Sequence, residues 1–353
     1  MEKLTVAVFF GGRSPEYGIS LQSAAAVLEG LDRERYRPVA VGISREGRWY
    51  HCTADTQDIR QDRWLRQGAC VPAILSPDRG DRGLFLFPNG GLERLPVDVA
   101  FPVLHGQDGE DGAIQGLIQL SGIPMAGCGV LASALGMDKE RARQMVRQAG
   151  IPTARSRSFC RGEEPRIAAF ARELGYPLFV KPARAGSSYG VARVEAPREL
   201  LPAVAEALRY DSRVLVEEAA PGFEVGCAVM GSGTLTVGAV DEIRTAGGIL
   251  DNVEKYHPKT SATYTPARVP AETARRIQDT AKQIYRVLDC SGFARVDLFL
   301  TPSGELWFHE INTIPGFTPH SRFPAMMAAA GIPIPAVLDT VIQSALQGGG
   351  VEP

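Results

Sequence analysis

The stretch "FARVDLFLTPSGELWFHEIN" (293–312) sets Arg295, Asp297, Glu310 and Asn312 inside two apolar runs. Turn chemistry at Pro302-Ser303-Gly304, between runs that alternate with period two, predicts a β-hairpin. With Pro302 and Ser303 as a two-residue loop, Thr301 faces Gly304, Asp297 faces Phe308 and Arg295 faces Glu310. Side chains alternate along a strand, so Arg295, Asp297, Glu310 and Asn312 share one face. One reading of that face is a solvated surface with an Arg295–Glu310 cross-strand ion pair. Against it, the Lys and Thr of ordinary exposed strands are missing, and Asp and Asn are poor strand formers. The other reading is a site. Two carboxylates and an amide oxygen are hard donors, suited to Mg²⁺ completed by phosphate oxygens and water. No Cys or His pair with ligand spacing accompanies them, which disfavours zinc.

Three further stretches carry chemistry. "VKPARAGSSYG" (180–190) puts Lys181 in a strand before a Gly-Ser-Ser turn, a pattern that can wrap phosphate oxygens and otherwise reads as a polar hairpin loop. It is not a G-x-x-x-x-G-K-[ST] loop, and no G-x-G-x-x-G fingerprint occurs, so a nicotinamide enzyme is disfavoured. "VEEAAPGFEVG" (216–226) places Glu217, Glu218 and Glu224 around a Pro-Gly turn, either as a solvated edge or as ligands for hydroxyl and amino groups. His105 in "LHGQDGEDG" and Glu16 in "SPEYGIS" follow strand ends. By itself Glu16 reads as a helix-start carboxylate.

These stretches need a scaffold. The first 128 residues alternate apolar strands ("LTVAVFFGG", "RPVAVGIS", "VDVAFPVLHG") with helices ("SLQSAAAVLEGL" after a Ser20 cap, "DGAIQGLIQLSG"). That alternation predicts a parallel sheet covered on both faces, with loops 11–20 and 105–112 at the ligand-bearing ends of its strands. A long helix, "LASALGMDKERARQMVRQAG", then leads into further strands. The segment 244–269 reads as a loop, followed by a helix with Ile277, Ala281, Ile284 and Leu288 on one face. The chain has 353 residues, 44% of them apolar and 22% charged, with a net charge of −2. That length predicts two or three lobes, and the charge balance argues against nucleic acid or a membrane surface as partner. Six cysteines, at 52, 70, 128, 160, 227 and 290, lie far apart in sequence without a C-x-x-C, as expected of free thiols in a reducing cytoplasm.

Taken in order, "GGRSPEYGISLQSA", "HGQDGEDGAIQGL", "MDKERAR", "FVKPARAGSSYGV", "EKY", "ARVDLF" and "HEINTIPGFTPHSRFP" resemble the D-alanine–D-alanine ligase family of the ATP-grasp superfamily, nearly end to end. The resemblance implies an α/β ATP-grasp fold: a doubly wound N-terminal domain (1–128), a central lobe (129–220), and a C-terminal lobe (221–353) with the metal site and a lid at 244–269. It implies ATP and two Mg²⁺ ions (Mn²⁺ as a substitute), D-alanine and a second D-amino acid as substrates, and a homodimer. Carried over by motif, Lys139, Lys181 and Lys255 resemble nucleotide and phosphate ligands. Glu217 and Glu224 match the adenosine-side acids, and Glu218 and Ala220 the hinge that adenine contacts. Asp297, Glu310 and Asn312 match the metal ligands, and Arg295 with the Gly316 backbone the oxyanion-stabilising groups. Glu16 matches the residue that holds the first ammonium, in a trio with Ser187 and Tyr256. His105 matches a group beside the first substrate, and Ser321 one beside the second carboxylate.

The reaction so implied phosphorylates D-alanine to an acyl phosphate, which a second amine attacks. One position departs from the commonest pattern of the family. Arg322 follows "HS", where an apolar residue is usual, and this resembles the vancomycin-resistance ligases that use D-serine or D-lactate. Lactate makers lack the loop tyrosine, so Tyr256 points to D-serine, whereas Leu250 lacks the aromatic ring expected of close relatives of the serine makers. The expected activity is that of a D-alanine–D-alanine ligase type enzyme forming a D-alanyl-D-amino acid dipeptide; a D-alanine–D-serine ligase is the alternative, followed by a D-alanine–D-lactate ligase, another ATP-grasp carboxylate–amine ligase, and a nucleotide-binding regulator without turnover.

Overall fold

A computed structural model describes residues 2–66, 68–186, 188–245, 261–318 and 320–348. Three sheets organise the chain. The first contains β1 (Leu4–Gly11), β2 (Tyr36–Ile43), β3 (Trp49–Cys52), β4 (Cys70–Leu75), β5 (Gly83–Leu86), β6 (Glu93–Pro96) and β7 (Val99–Pro102), in the order β6-β5-β4-β3-β2-β1-β7. Only β2-β1-β7 is parallel; from β2 to β6 the strands form an antiparallel meander. The parallel part is the buried part, where β1 is apolar on both faces. α1 (Tyr17–Gly30) packs on it. Ser20, expected as a cap, lies inside α1, where its hydroxyl donates to Val103 O (2.6 Å) and accepts from Gly11 N (2.8 Å). Between β3 and β4 runs a short α2 (Thr56–Arg60), and α3 (Ala113–Ser121) covers the other face of the sheet.

The expected long helix is two, α4 (Val130–Met137) and α5 (Lys139–Gln148). Asp138 leaves helical geometry between them and accepts the N–H of Arg141 (3.1 Å), capping α5. The second sheet, β8 (Ser156–Cys160), β9 (Leu178–Pro182), β10 (Ala192–Val194) and β11 (Arg213–Glu218), is antiparallel in the order β10-β9-β11-β8. It is backed by α6 (Glu164–Leu174) and α7 (Pro197–Ala207).

The third sheet holds β12 (Phe223–Met230), β13 (Thr236–Val237), β14 (Asp241–Thr245), β15 (Ser261–Tyr264), β16 (Phe293–Leu300) and β17 (Leu306–Asn312). Its order is β15-β14-β12-β16-β17, with β13 beside β12. Of the segment expected to be a loop at 244–269, residues 244–245 and 261–264 are therefore strand, paired as β14 and β15; residues 246–260 lie outside the described residues. α8 (Ala271–Val287) buries Ile277, Ala281 and Ile284 against this sheet, as its spacing predicts. Burying one such isoleucine is worth about 1.5–3 kcal/mol. The chain closes with α9 (Arg322–Ala329) and α10 (Ile334–Gly348); Val337, Leu338, Val341 and Ile342 of α10 return to the core of the first sheet. No single helix among the described residues is long and apolar enough to cross a membrane.

Candidate functional site

The β16–β17 hairpin forms, but not in the expected register. The turn is longer than two residues, with Gly304 N–H donating to Thr301 O (2.9 Å) and Thr301 N–H to Glu305 O (3.0 Å). Leu298 faces Phe308, yet Asp297 faces Glu310 and Arg295 faces Asn312. His309 is the extra residue of a β-bulge. Such a residue re-aims its neighbours: Phe308 packs into the core beside Leu298 and only borders the cavity, while the side chains of His309 and Glu310 also line it. Arg295, Asp297, Glu310 and Asn312 still share one face. The anticipated Arg295–Glu310 pairing gives way to a forked Arg295–Asp297 pair (Nε–Oδ1 2.9 Å, Nη2–Oδ2 2.7 Å).

A cavity of about 400 Å³ lies between the second and third sheets. Its polar end is a buried charge cluster. Lys181 Nζ sits 2.7 Å from Glu217 Oε1, and Arg143 pairs with Glu217 Oε2. Burial alone would raise the Glu217 carboxyl, but Arg143 and Lys181 outweigh it and hold it at about 2. Burial lowers Lys181 to about 8, with Glu217 pulling the other way. His309, against the edge of Phe299 (4.9 Å between ring centres), is pushed down to about 4 by burial and by the charge of Lys181, so it is neutral. Lys139 Nζ donates to Ala185 O (2.6 Å), tying α5 to the 183–190 turn. The apolar end of the cavity contains Phe179, Phe223 and Phe299 beside Glu218 and Ala220. Arg155 occupies the Glu218 carboxylate through its backbone N–H and Nε (2.7 and 2.8 Å).

Beyond the cavity, Arg322 at the start of α9 joins three acids. It grips Asp241 with two bonds (Nε–Oδ2 2.7 Å, Nη2–Oδ1 2.9 Å), Glu224 with one (2.7 Å), and reaches Asp297 at 3.2 Å. Gly226 of β12 faces Asp241 on one side and Asp297 on the other. A side-chain carbon there would collide with Arg322 and come within 2.7 Å of Asp241 Oδ1, so the slot exists because residue 226 is glycine. For Asp297, burial would raise the carboxyl, but Arg295 and then Arg322 outweigh it and keep it ionised.

The loops after β1 and β7 meet the same region. Glu16 ends the 11–16 loop as the residue before α1, and its carboxylate lies against Gly106 and Gly186, one from each of the other two glycine loops. His105 Nε2 is 3.2 Å from Ser23 Oγ, which also accepts the N–H of Phe317 (3.2 Å). Burial would lower His105; Glu110, 3.7 Å from its Nδ1, and Glu16 outweigh that and raise it. Gly316 backs onto Ser321, whose hydroxyl is 2.8 Å from Thr318 Oγ1.

Thus Glu16, Lys139, Lys181, Glu217, Glu218, Ala220 and Glu224 converge with Arg295, Asp297, Glu310, Asn312, Gly316, His105, Ser321 and Arg322, whereas Ser187, Lys255 and Tyr256 lie outside the described residues. Sequence reasoning missed Arg143, His309 and Asp241. Arg143 stands four residues after Lys139 on one helix face, and Asp241 is an acid among apolar strand residues, the same signal that exposed Asp297.

Two facing sheets that enclose a cavity lined by buried lysines, acids and phenylalanines define an ATP-grasp ligase. Models of the D-ala D-ala ligase N-terminus and C-terminus match residues 5–128 and 145–343, and the chain belongs to the D-alanine–D-alanine ligase family. It is similar to the vancomycin B-type resistance protein VanB of Enterococcus faecalis, with 44% identity over 98% of this chain and 100% of that protein. A putative D-alanine–D-lactate ligase of Streptomyces coelicolor is 45% identical over 99% of each chain. Among solved structures, the VanG D-Ala:D-Ser ligase of Enterococcus faecalis superposes with a TM-score of 0.90 at 46% identity, over 98% of this chain and 100% of that one. The chain is therefore an ATP-dependent, ADP-forming carboxylate–amine type ligase that forms D-alanyl-D-X products, in a family that uses ATP and a divalent metal.

Proposed function

We propose that this ligase joins D-alanine to D-serine. The carrying observation is the Arg322–Asp241 pair, a donor–acceptor fork with Asp241 fully buried and Arg322 partly so, beside Ser321 at the substrate end of the site. A serine hydroxyl can accept from the guanidinium and donate to the carboxylate. A methyl group can do neither, and buried polar groups left unmatched cost about 1–3 kcal/mol. The likeness to a D-Ala:D-Ser ligase of known structure supports the same reading.

The remaining residues then take these roles. Lys139 and Lys181 bind the polyphosphate, with Glu217 and Arg143 setting the position of the Lys181 ammonium. The Glu218–Ala220 backbone and the phenylalanines hold adenine, and Glu224 serves the ribose. Glu16 receives the ammonium of D-alanine beside His105. The carboxylate of that D-alanine attacks the terminal phosphate of ATP to give D-alanyl phosphate and ADP. The neutral amine of the second substrate then attacks the acyl carbon, and phosphate leaves. Arg295 and the Gly316 N–H stabilise the oxyanion that forms. Asp297, Glu310 and Asn312 fit Mg²⁺, since all three offer oxygen, two face each other across the ladder, and Asp297 is kept ionised. Bound there, the ion would neutralise charge on the transferring phosphate.

The test compares kcat/KM for D-serine and D-alanine, each with ATP and D-alanine as first substrate. The wild type is expected to favour D-serine roughly ten- to a hundredfold, and Arg322→Leu to collapse that ratio. A wild type that prefers D-alanine, with a ratio unmoved by the substitution, refutes the assignment. Formation of an ester with D-lactate at a higher kcat/KM would replace it by the reading that the Streptomyces coelicolor relative suggests.

A further inference from the structure

Cys52 and Cys70 are separated by 17 residues in sequence and face each other across the β3–β4 ladder. One position further on, Thr53 N–H donates to Ala69 O (2.8 Å), so the cysteines occupy a non-hydrogen-bonded site of the antiparallel pair. Facing Cα atoms at such sites come to about 4.5 Å, within the span of about 4.4–6.8 Å that a disulfide bridges. The two Sγ atoms are 2.7 Å apart, and both residues are free thiols. Cys52 is buried, whereas Cys70 is partly exposed, with its Sγ 3.0 Å from Trp64 O. The hydrogen bond that Cys70 shares with Cys52 lowers the Cys70 thiol, and the same contact together with burial raises that of Cys52. Access and acidity therefore fall on the same sulfur.

We propose that Cys52 and Cys70 form a redox modification site, in which a peroxide converts the dithiol into a cross-strand disulfide. The Cys70 thiolate attacks one peroxide oxygen; the O–O bond breaks, an S–O bond forms and one water leaves. The Cys52 sulfur then attacks the Cys70 sulfur; the S–O bond breaks, the S–S bond forms and a second water leaves. Two thiols and one hydrogen peroxide thus give one disulfide and two waters.

The segment between the two cysteines is structurally placed to register the bond. Trp64 Nε1 donates to Tyr17 OH (2.9 Å), and Tyr17 OH donates to Asp62 (2.8 Å). Gln22 of α1 donates to Arg60 O (2.8 Å), and Arg60 pairs with Glu29. Tyr17 directly follows Glu16, so the disulfide would staple the covering of the first turn of α1. Cross-linking the loop also restricts the unfolded chain.

The full-length protein is treated with hydrogen peroxide under native conditions, alkylated and digested with trypsin. The expected product is a cross-link between peptides 49–60 and 67–79, lighter by two hydrogens than its separate parts and reversed by dithiothreitol. The oxidised protein is expected to melt a few degrees higher than the reduced one, and Cys70→Ser to remove both effects. Cys160, exposed and solitary, reports that oxidant reached the protein. Oxidised Cys160 with unlinked peptides 49–60 and 67–79 overturns the proposal. So does a bond that instead joins the buried Cys128 and Cys290. The readout uses no substrate and is independent of the reading of the active site.

Discussion

Glu217 shows how a single carboxylate can carry two opposed burdens. Its position between Arg143 and Lys181 holds three buried charges together, and removing one partner of such a cluster typically costs about 3–5 kcal/mol. Glu217→Gln is therefore expected to lower the melting temperature clearly and to raise the KM for ATP, measured by thermal unfolding and steady-state kinetics. The sign of its pH dependence follows from linkage. A carboxyl at about 4.5 when unfolded and about 2 when folded stabilises the native state above pH 4.5, and the gain is lost as pH falls toward 2. The difference corresponds to roughly 3 kcal/mol. The wild type should lose stability across that window, and Glu217→Gln should show a flatter profile over it. Asp297 predicts a different phenotype. Asp297→Asn retains the shape of the side chain but takes away the charge that Arg295, Arg322 and the expected metal share. Turnover should fall below detection at saturating Mg²⁺ while circular dichroism remains that of the wild type; near-normal activity would exclude Asp297 from the metal site.

At the scale of elements, two local interruptions build the site. The bulge at His309 lets β17 place Phe308 in the core and Glu310 at the cavity, two destinations that strict alternation would make one. The Asp138 cap ends one helix and starts another, so that Lys139 stands in the first turn of α5, close to the 183–190 turn. Asp138→Ala removes the cap bond at a cost of about 1 kcal/mol. It is expected to raise the KM for ATP several-fold with little change in the ratio between second substrates, a pattern that kinetics on both amino acids resolves. Gly226→Ala should do the reverse. Its methyl group intrudes on the Arg322–Asp241 fork, so discrimination between D-serine and D-alanine is expected to drop while the KM for ATP holds.

Across the whole molecule, the site depends on the first and third sheets being locked together. Phe101 of β7 stacks on Phe293 of β16 (5.9 Å), and Phe317 meets both edge-on (5.8 and 5.2 Å). Phe317 also fixes Ser23, and through it His105, by its backbone N–H. Phe317→Ala should cost about 3–5 kcal/mol as a cavity in a fully buried cluster. It should also weaken the use of both amino acids more than that of ATP, because the loop it aligns carries His105, which we propose lies beside the first substrate. Calorimetry and substrate-saturation curves check the two halves of that statement.

Much of this was present in the linear chain. Apolar runs interrupted by acids and an arginine marked the β16–β17 hairpin, period 3.6 marked α8, and glycine-rich turns after strand ends marked the loops that hold Glu16 and His105. These signals are local, since side-chain alternation and turn chemistry act over a few residues. What the chain alone left open involves distance. The register of β16 with β17 was misjudged twice over, because the turn takes three residues rather than two and a bulge then inserts one more without any signature in composition. One helix was expected where Asp138 makes two, since the capping bond competes closely with helical continuation. Arg322 was readable as a polar residue at a telling position, but its grip on Asp241, 81 residues away, exists only once β14 and α9 are packed around Gly226. The same holds for Cys52 and Cys70, which sequence spacing presents as separate thiols and an antiparallel ladder brings into contact. Local propensity selected the elements, and long-range packing decided which charges had to share a dry interior.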